Sequence, residues 1–263
     1  MKITKWVILS SFVVLGSTAV ATSVQAAESK AYHSNGSVEF IPNTDPINPV
    51  DPENPDPEKP VTPIDPTDPE KPVNPGTDGP LSIDYASSLD FGVNKISNKN
   101  ETYYARAQKF TNREDSANYV QISDNRGNNA GWTLTVKQNG DFKATSGTLN
   151  DTLTGAKISL SSPTVKSNAQ NVQAPTATSL IELDPNGSEQ VVMAAKANAG
   201  AGTWIDSFGK VEKVSETDKD GKQVESNVTK AVALEVPGST PKDAVKYQTT
   251  LTWTLTDTPA NAD

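Results

Sequence analysis

From Tyr247 to Thr256 the side chains alternate without a break. Tyr247, Thr249, Leu251, Trp253 and Leu255 fall on one face, and Gln248, Thr250, Thr252, Thr254 and Thr256 fall on the other. Successive residues of a strand point to opposite sides, so this stretch has one side to bury and one to leave in water. A helix would scatter the same residues around its circumference. Trp132, Leu134 and Val136 repeat the pattern against Thr133, Thr135 and Lys137. Further candidate strands are Tyr119–Ser123, Ala156–Leu160, Ser179–Leu183, Gln190–Ala195, Thr203–Phe208 and Val228–Val236. They are punctuated by the turn signals Asn139-Gly140, Pro185-Asn186-Gly187 and Asp220-Gly221. Many short strands with antiparallel pairing predict an all-β, antiparallel, β-sandwich-like single domain over residues 81–263.

Ahead of that domain the sequence forbids ladders. Thirteen of the 19 prolines lie between Pro42 and Pro80, most of them three residues apart, and three is the repeat of polyproline II. With φ fixed and N–H donors missing, residues 42–80 are expected to form an extended Pro-rich spacer. Nine acids against two lysines in this segment stiffen it further by repulsion, to a reach on the order of 90 Å for the periodic part. Residues 27–41 are too few to fold alone. They are expected to be a disordered end or, through Val38-Glu39-Phe40-Ile41, a strand-like peptide that docks on the edge of a partner's sheet.

Residues 1–26 carry Lys2 and Lys5, an apolar run from Trp6 to Val20, and small residues around Val24-Gln25-Ala26. That is the pattern of a secretory signal peptide cleaved after Ala26. The C-terminal stretch Thr256–Asp263 is polar, so no covalent or membrane anchor is expected there. An exported chain of this kind diffuses away or holds its surface by binding.

Composition narrows the chemistry. The chain has no cysteine and a single histidine, His33. Disulfide scaffolds, thiol nucleophiles and Cys-based metal sites are excluded. A Ser-His-Asp triad would have to rest on one residue far from any core. The formal net charge is −9, and becomes −11 once Lys2 and Lys5 are removed, which argues against a nucleic-acid partner. Glu216–Gly221 is dense in acids but lacks the spacing of a calcium loop. No metal, cofactor or membrane insertion is expected, and no pair of carboxylates stands out for glycoside hydrolysis. The chain reads as a non-enzyme.

Two Trp-x-Leu tripeptides, Trp132-Thr133-Leu134 and Trp253-Thr254-Leu255, stand in distinctive settings. The first follows Ile122-Ser123-Asp124-Asn125-Arg126-Gly127 and Gly131; the second ends the chain's last strand; Asp90-Phe91-Gly92 stands near the domain's start. Together these residues resemble the WxL domain family of Gram-positive cell-surface proteins. The resemblance implies non-covalent attachment to the cell wall, with peptidoglycan as ligand, and partnership with other surface proteins of the same system. An adhesin or assembly subunit, with wall contact secondary, is the alternative.

The tryptophans invite a sugar-stacking role. Exposing Trp253, however, would expose Leu251 and Leu255 on the same face, at about 25 cal/mol per Å² of apolar surface. The motif residues Trp132, Leu134, Trp253 and Leu255 are therefore expected to be mainly structural, with stacking as the other reading. Candidate binding residues are Asp124 and Arg126 in the loop before the first motif, Tyr247, and Trp204. Arg126 offers a two-pronged guanidinium for a stem-peptide carboxylate, or Asp124 and Arg126 only fix the loop by pairing with backbone or with each other. Trp204 has no leucine two places on and is the best candidate for an exposed aromatic.

Overall fold

The computed structural model describes residues 29–217 and 220–259. The expected signal peptide lies outside them. Residues 29–41 carry no strand, and Tyr32, Val38, Phe40 and Ile41 are 78–94% exposed. From Phe40 onward the chain forms one compact unit.

That unit is helix-free among the described residues and is built from seventeen strands, numbered here in chain order. One four-stranded sheet runs β10 (Thr176–Ala177), β12 (Gln190–Ala195), β6 (Trp132–Gln138), β17 (Leu251–Thr256). A five-stranded sheet runs β11 (Leu180–Glu182), β8 (Lys157–Ser161), β15 (Gln223–Val236), β14 (Val211–Thr217), with β3 (Glu101–Arg106) also on β15. A second four-stranded sheet runs β2 (Leu81–Ala86), β5 (Tyr119–Asp124), β13 (Gly202–Phe208), β9 (Pro163–Lys166). Two short ribbons complete the set: β1 (Pro63–Ile64) with β4 (Lys109–Phe110), and β7 (Lys143–Ala144) with β16 (Tyr247–Gln248). All pairings between these strands are antiparallel. The all-β, sandwich-like expectation holds.

The main core draws on all three large sheets: Trp132, Leu134 and Val136 from β6, Val192 and Met193 from β12, Ile158 and Leu160 from β8, Val232 and Leu234 from β15, and Val120 and Ile122 from β5. Val192 and Met193 are consecutive yet both fully buried, because a register shift between Val191 and Met193 inserts one extra residue opposite β6. The expected strand Tyr247–Thr256 is broken at Thr249 and Thr250. There the Asn139 N–H donates to Thr250 O at 2.9 Å and the Thr249 hydroxyl to Gly140 O at 2.9 Å.

The proline-rich segment does not stand free, and here the expectation of a detached rod is corrected. Its residues lie along the outer face of the β2-β5-β13-β9 sheet as a strap. Every residue of β5 is buried, which a two-layer sandwich alone does not achieve for an alternating strand. Val120 and Ile122 face the main core, while Tyr119 joins Val50, Tyr85, Phe110 and Ile205 in a second small core with Val61 and Val73 at its margin. Gln121 accepts from the Val50 N–H at 2.8 Å and donates to Asn48 O at 3.1 Å and to Asp84 Oδ2 at 2.9 Å. Asp84 also accepts from Ser82 at 2.7 Å and Ser123 at 2.6 Å. Burial nonetheless raises its pKa above the usual carboxylate value.

Proline does forbid a ladder within the strap, as the sequence says. It does not forbid its carbonyls, its few N–H groups and its apolar rings from packing on another layer. Acid repulsion is relieved locally: Arg113 bridges Asp51 and Glu53 while lying 5.0 Å over the Phe110 ring, and Lys59 and Lys71 pair with Asp56 and Asp68.

Among the described residues one buried carboxylate is left uncompensated. Asp206 on β13 is 0% exposed and shares a strand face with Trp204 and Phe208, both members of the main core. Neither carboxylate oxygen has a hydrogen-bond partner among the described residues. Burial pushes its pKa up to about 7, against a smaller lowering from the Thr164 N–H.

Candidate functional site

The two Trp-x-Leu tripeptides are neighbours. β17 pairs with β6 so that Leu255 lies opposite Leu134, Thr254 opposite Thr135 and Trp253 opposite Val136. The leucines of the two motifs thus face each other across one antiparallel ladder, with the tryptophans displaced to opposite ends. Sequence reasoning assigns both motifs to strands but misses this pairing, because it depends on a register between segments more than a hundred residues apart.

Trp132 is 0% exposed, and its Nε1 donates to Gly200 O at 3.0 Å. Gly200 has φ +75°, and a Cβ there would lie 2.7 Å from the same indole nitrogen. The loop before Trp132 supports this seat. Arg126 donates from Nε to Asp124 Oδ1 at 2.9 Å, and from Nη2 to Asp124 Oδ2 at 2.8 Å and Gly131 O at 2.7 Å. The two side chains are only 11% and 2% exposed. Hydrogen bonds donated to Asp124, with a further contribution from the charge of Asp257, hold the Arg126 guanidinium above its ordinary pKa. The two-pronged face that would grip a ligand carboxylate is occupied by Asp124. Gly131 follows with φ +81°, where a Cβ would run into the Lys196 carbonyl carbon at 2.8 Å.

Trp253 and Leu255 are half-buried and pack against the main core. Tyr247 is also partly buried; its hydroxyl donates to Asn150 O at 2.6 Å and accepts from the Asp243 N–H at 2.8 Å. Asp243 in turn is held by the Thr148 hydroxyl and the Asn150 amides, which lower its pKa to about 2. Tyr247 therefore ties a loop to its strand. The reading of Trp204 as an exposed aromatic is corrected: it is 5% exposed, with Nε1 donating to Ala201 O at 3.0 Å. Its missing leucine partner is immaterial, since β13 lies between two strands and both its faces are covered. Asp90-Phe91-Gly92 is also structural: the Asp90 carboxylate accepts from the Gly92 N–H at 2.9 Å, Phe91 meets Phe142 edge-on at 6.4 Å, and a Cβ on Gly92 would lie 2.9 Å from the Arg106 guanidinium carbon.

With these residues used in building the fold, a concave surface lies elsewhere. A groove of about 1090 Å³ runs between the strap and the β9 edge. Its walls carry three acids (Asp51, Glu53, Asp56) and three bases (Lys59, Arg113, Lys166). Arg113 bridges two of the acids, Lys59 pairs with Asp56, and Lys166 Nζ donates to Glu53 O at 2.8 Å. Asn54, Asn168 and Gln170 are exposed on the same walls. The groove is therefore close to neutral and rich in amides and carbonyls. Sequence reasoning misses it because half of it belongs to the segment read as a spacer. Among the described residues no group of three or more His, Cys, Asp or Glu is placed to hold a metal ion.

Fold and site together define a helix-free, antiparallel β-domain whose paired Trp-x-Leu strands hold its framework. The family model described as "WxL domain surface cell wall-binding" matches residues 27–259, and the chain belongs to that family. The match takes in the strap, in keeping with its packing on β5. The family binds cell wall and is not a family of enzymes, which associates the chain with the cell surface or wall. No curated protein and no solved structure matches it.

Proposed function

We propose that this is a secreted, non-enzymatic protein of a Gram-positive surface, exported through residues 1–26, that attaches non-covalently to peptidoglycan and contacts it through the strap groove. The observation that carries this reading is the groove's balance of charge beside the burial of the motif. A neutral lining of amides and carbonyls suits an uncharged, hydroxyl- and acetamide-bearing sugar chain better than a polyanion. Contact through hydrogen bonds and shape survives moderate salt, because it does not depend on screened long-range attraction.

The test is co-sedimentation with purified peptidoglycan. Asn168→Ala combined with Gln170→Ala should lower the bound fraction while circular dichroism and melting stay unchanged; undiminished binding would place the contact elsewhere. Release of soluble muropeptides would instead mark an enzyme. A second reading, an assembly subunit whose main ligand is protein, draws support from the exposed Val38, Phe40 and Ile41. Binding to purified partner ectodomains, measured alongside the wall assay, separates the two.

A further inference from the structure

β17 is the last strand of its sheet, paired only with β6. In an antiparallel ladder the N–H and C=O of one residue point to the same neighbour, and the direction alternates along the chain. Thr250 O accepts from Asn139 on the β6 side, and Thr252, Thr254 and Thr256 follow in register opposite Lys137, Thr135 and Thr133. The backbone groups of Leu251, Trp253 and Leu255 therefore point away from β6, to a side where, among the described residues, β2 approaches but no backbone hydrogen bond is made to them. The backbone of the second motif is the edge of this sheet.

Three other edges, those of β9, β14 and β2, are defended. β9 begins with Pro163 and ends with Lys166; β14 carries Glu212, Lys213 and Glu216; β2 has a register shift between Ile83 and Tyr85, and Ile83 O accepts from the Thr77 N–H of the strap. Proline, charge, bulges and cover are the usual means of keeping an edge from pairing. β17 has no proline, no charged residue and no register shift.

An unpaired strand former stands at the other end of the sequence. In Ser37-Val38-Glu39-Phe40-Ile41, Val38 and Phe40 alternate with Ser37 and Glu39; Val38, Phe40 and Ile41 are 78%, 87% and 84% exposed, and the segment joins no ladder. The chain enters the compact unit at Asn43, whose N–H donates to Asn125 O at 3.3 Å. Asn125 adjoins the Asp124–Arg126 pair, and Asp257, the residue after β17, acts on that same Arg126. Asn43 and the end of β17 thus lie at one end of the unit, and two copies brought together there can each supply what the other lacks.

We propose that residues 37–41 of one copy add as a strand to the β17 edge of a second copy, and reciprocally, giving a strand-exchanged dimer. Backbone hydrogen bonds to Leu251, Trp253 and Leu255 supply the pairing, and the alternating Val38 and Phe40 fix its register.

Sedimentation velocity over a range of concentrations tests this on the full chain. The protein should pass from monomer to dimer, and Phe40→Asp should remain a monomer with an unchanged melting curve. A labelled peptide spanning Ser34–Asn43 should bind the Phe40→Asp protein. Methylating the backbone nitrogens of one alternate set, Val38 with Phe40 or Glu39 with Ile41, should weaken binding by about tenfold or more, while the other set binds as before, since only one set faces the edge. A chain that stays monomeric throughout, a Phe40→Asp dimer, or two methylated peptides of equal affinity would each overturn the proposal. Peptide binding without self-association would assign the edge to another protein's strand and likewise defeat it.

Discussion

The carbonyl of Gly200 accepts the indole N–H of Trp132, while the bare Cα of the same glycine leaves room for the ring. One residue therefore supplies both the polar partner and the space that the first motif needs. Glycine alone does this at φ +75° without strain.

Gly200→Ala should lower stability by about 2–4 kcal/mol, from left-handed backbone strain together with overpacking against the indole. Trp132→Phe, which leaves the buried carbonyl without its donor and opens a void, should cost a similar amount. Trp253→Ala should cost less than Trp132→Ala, because Trp253 is only half-buried. Urea denaturation of the four variants checks the order; a Trp253→Ala cost equal to that of Trp132→Ala would contradict it.

Asp206 makes stability depend on pH with a definite sign. Its folded pKa of about 7 stands above the ordinary carboxylate value of 3.8, so between those two pH values the folded state holds a proton that the unfolded state has released. Stability accordingly falls as pH rises through that window and levels off above it, by on the order of 4 kcal/mol at most. Asp206→Asn should flatten this slope and raise the melting temperature at pH 8. Thermal melts of both proteins from pH 4 to 8 decide the matter, and parallel curves would refute the assignment.

Gln121→Ala should release the strap. It removes the acceptor for Val50 N–H and a donor to both Asn48 O and Asp84, a loss of about 2–4 kcal/mol. Limited proteolysis should then cut within residues 42–65 much faster than in the parent chain. A strap that is already cut rapidly in the parent would show that it is not held on β5.

Arg126→Ala should act on folding rather than on grip. It leaves the Asp124 carboxylate, 2% exposed, without its guanidinium, at a cost of about 3–5 kcal/mol. Wall binding per folded molecule should be unchanged. A loss of binding with intact stability would return Arg126 to the ligand.

The strands were legible wherever one face is buried and the other wet. Gln190–Ala195 coincides with β12 and the first motif strand is found to within a residue, because alternation registers a difference between faces; the second ends as expected at Thr256 but begins four residues late, at Leu251. β14 escaped notice because Val211–Thr217 is heavily charged, and β2 because Leu81–Ala86 carries fewer β-branched and aromatic residues than β5 or β13, whose faces are covered as well. The inward placement of Trp132 could be argued from Leu134, whereas that of Trp204 could not, since its cover arrives from other layers. The groove was invisible for the same reason as the strap. Proline spacing states what a segment's backbone cannot do with itself and is silent on what another sheet offers it. The pairing of the motif strands likewise rests on register, which no local pattern encodes.

The strap also has a mechanical meaning. Tension applied from the N-terminal side enters the compact unit through Asn43, Val50 and Asp51 and reaches β2, into which the strap runs, only after their contacts with Asn125, Gln121 and Arg113 yield one after another. Such a segment peels rather than shears, paying out slack on the order of 100 Å if residues 43–80 straighten as polyproline. A molecule fastened to a growing, flexing surface would then meet a tug by unspooling its leash, while the sheets that hold the motif stay shut.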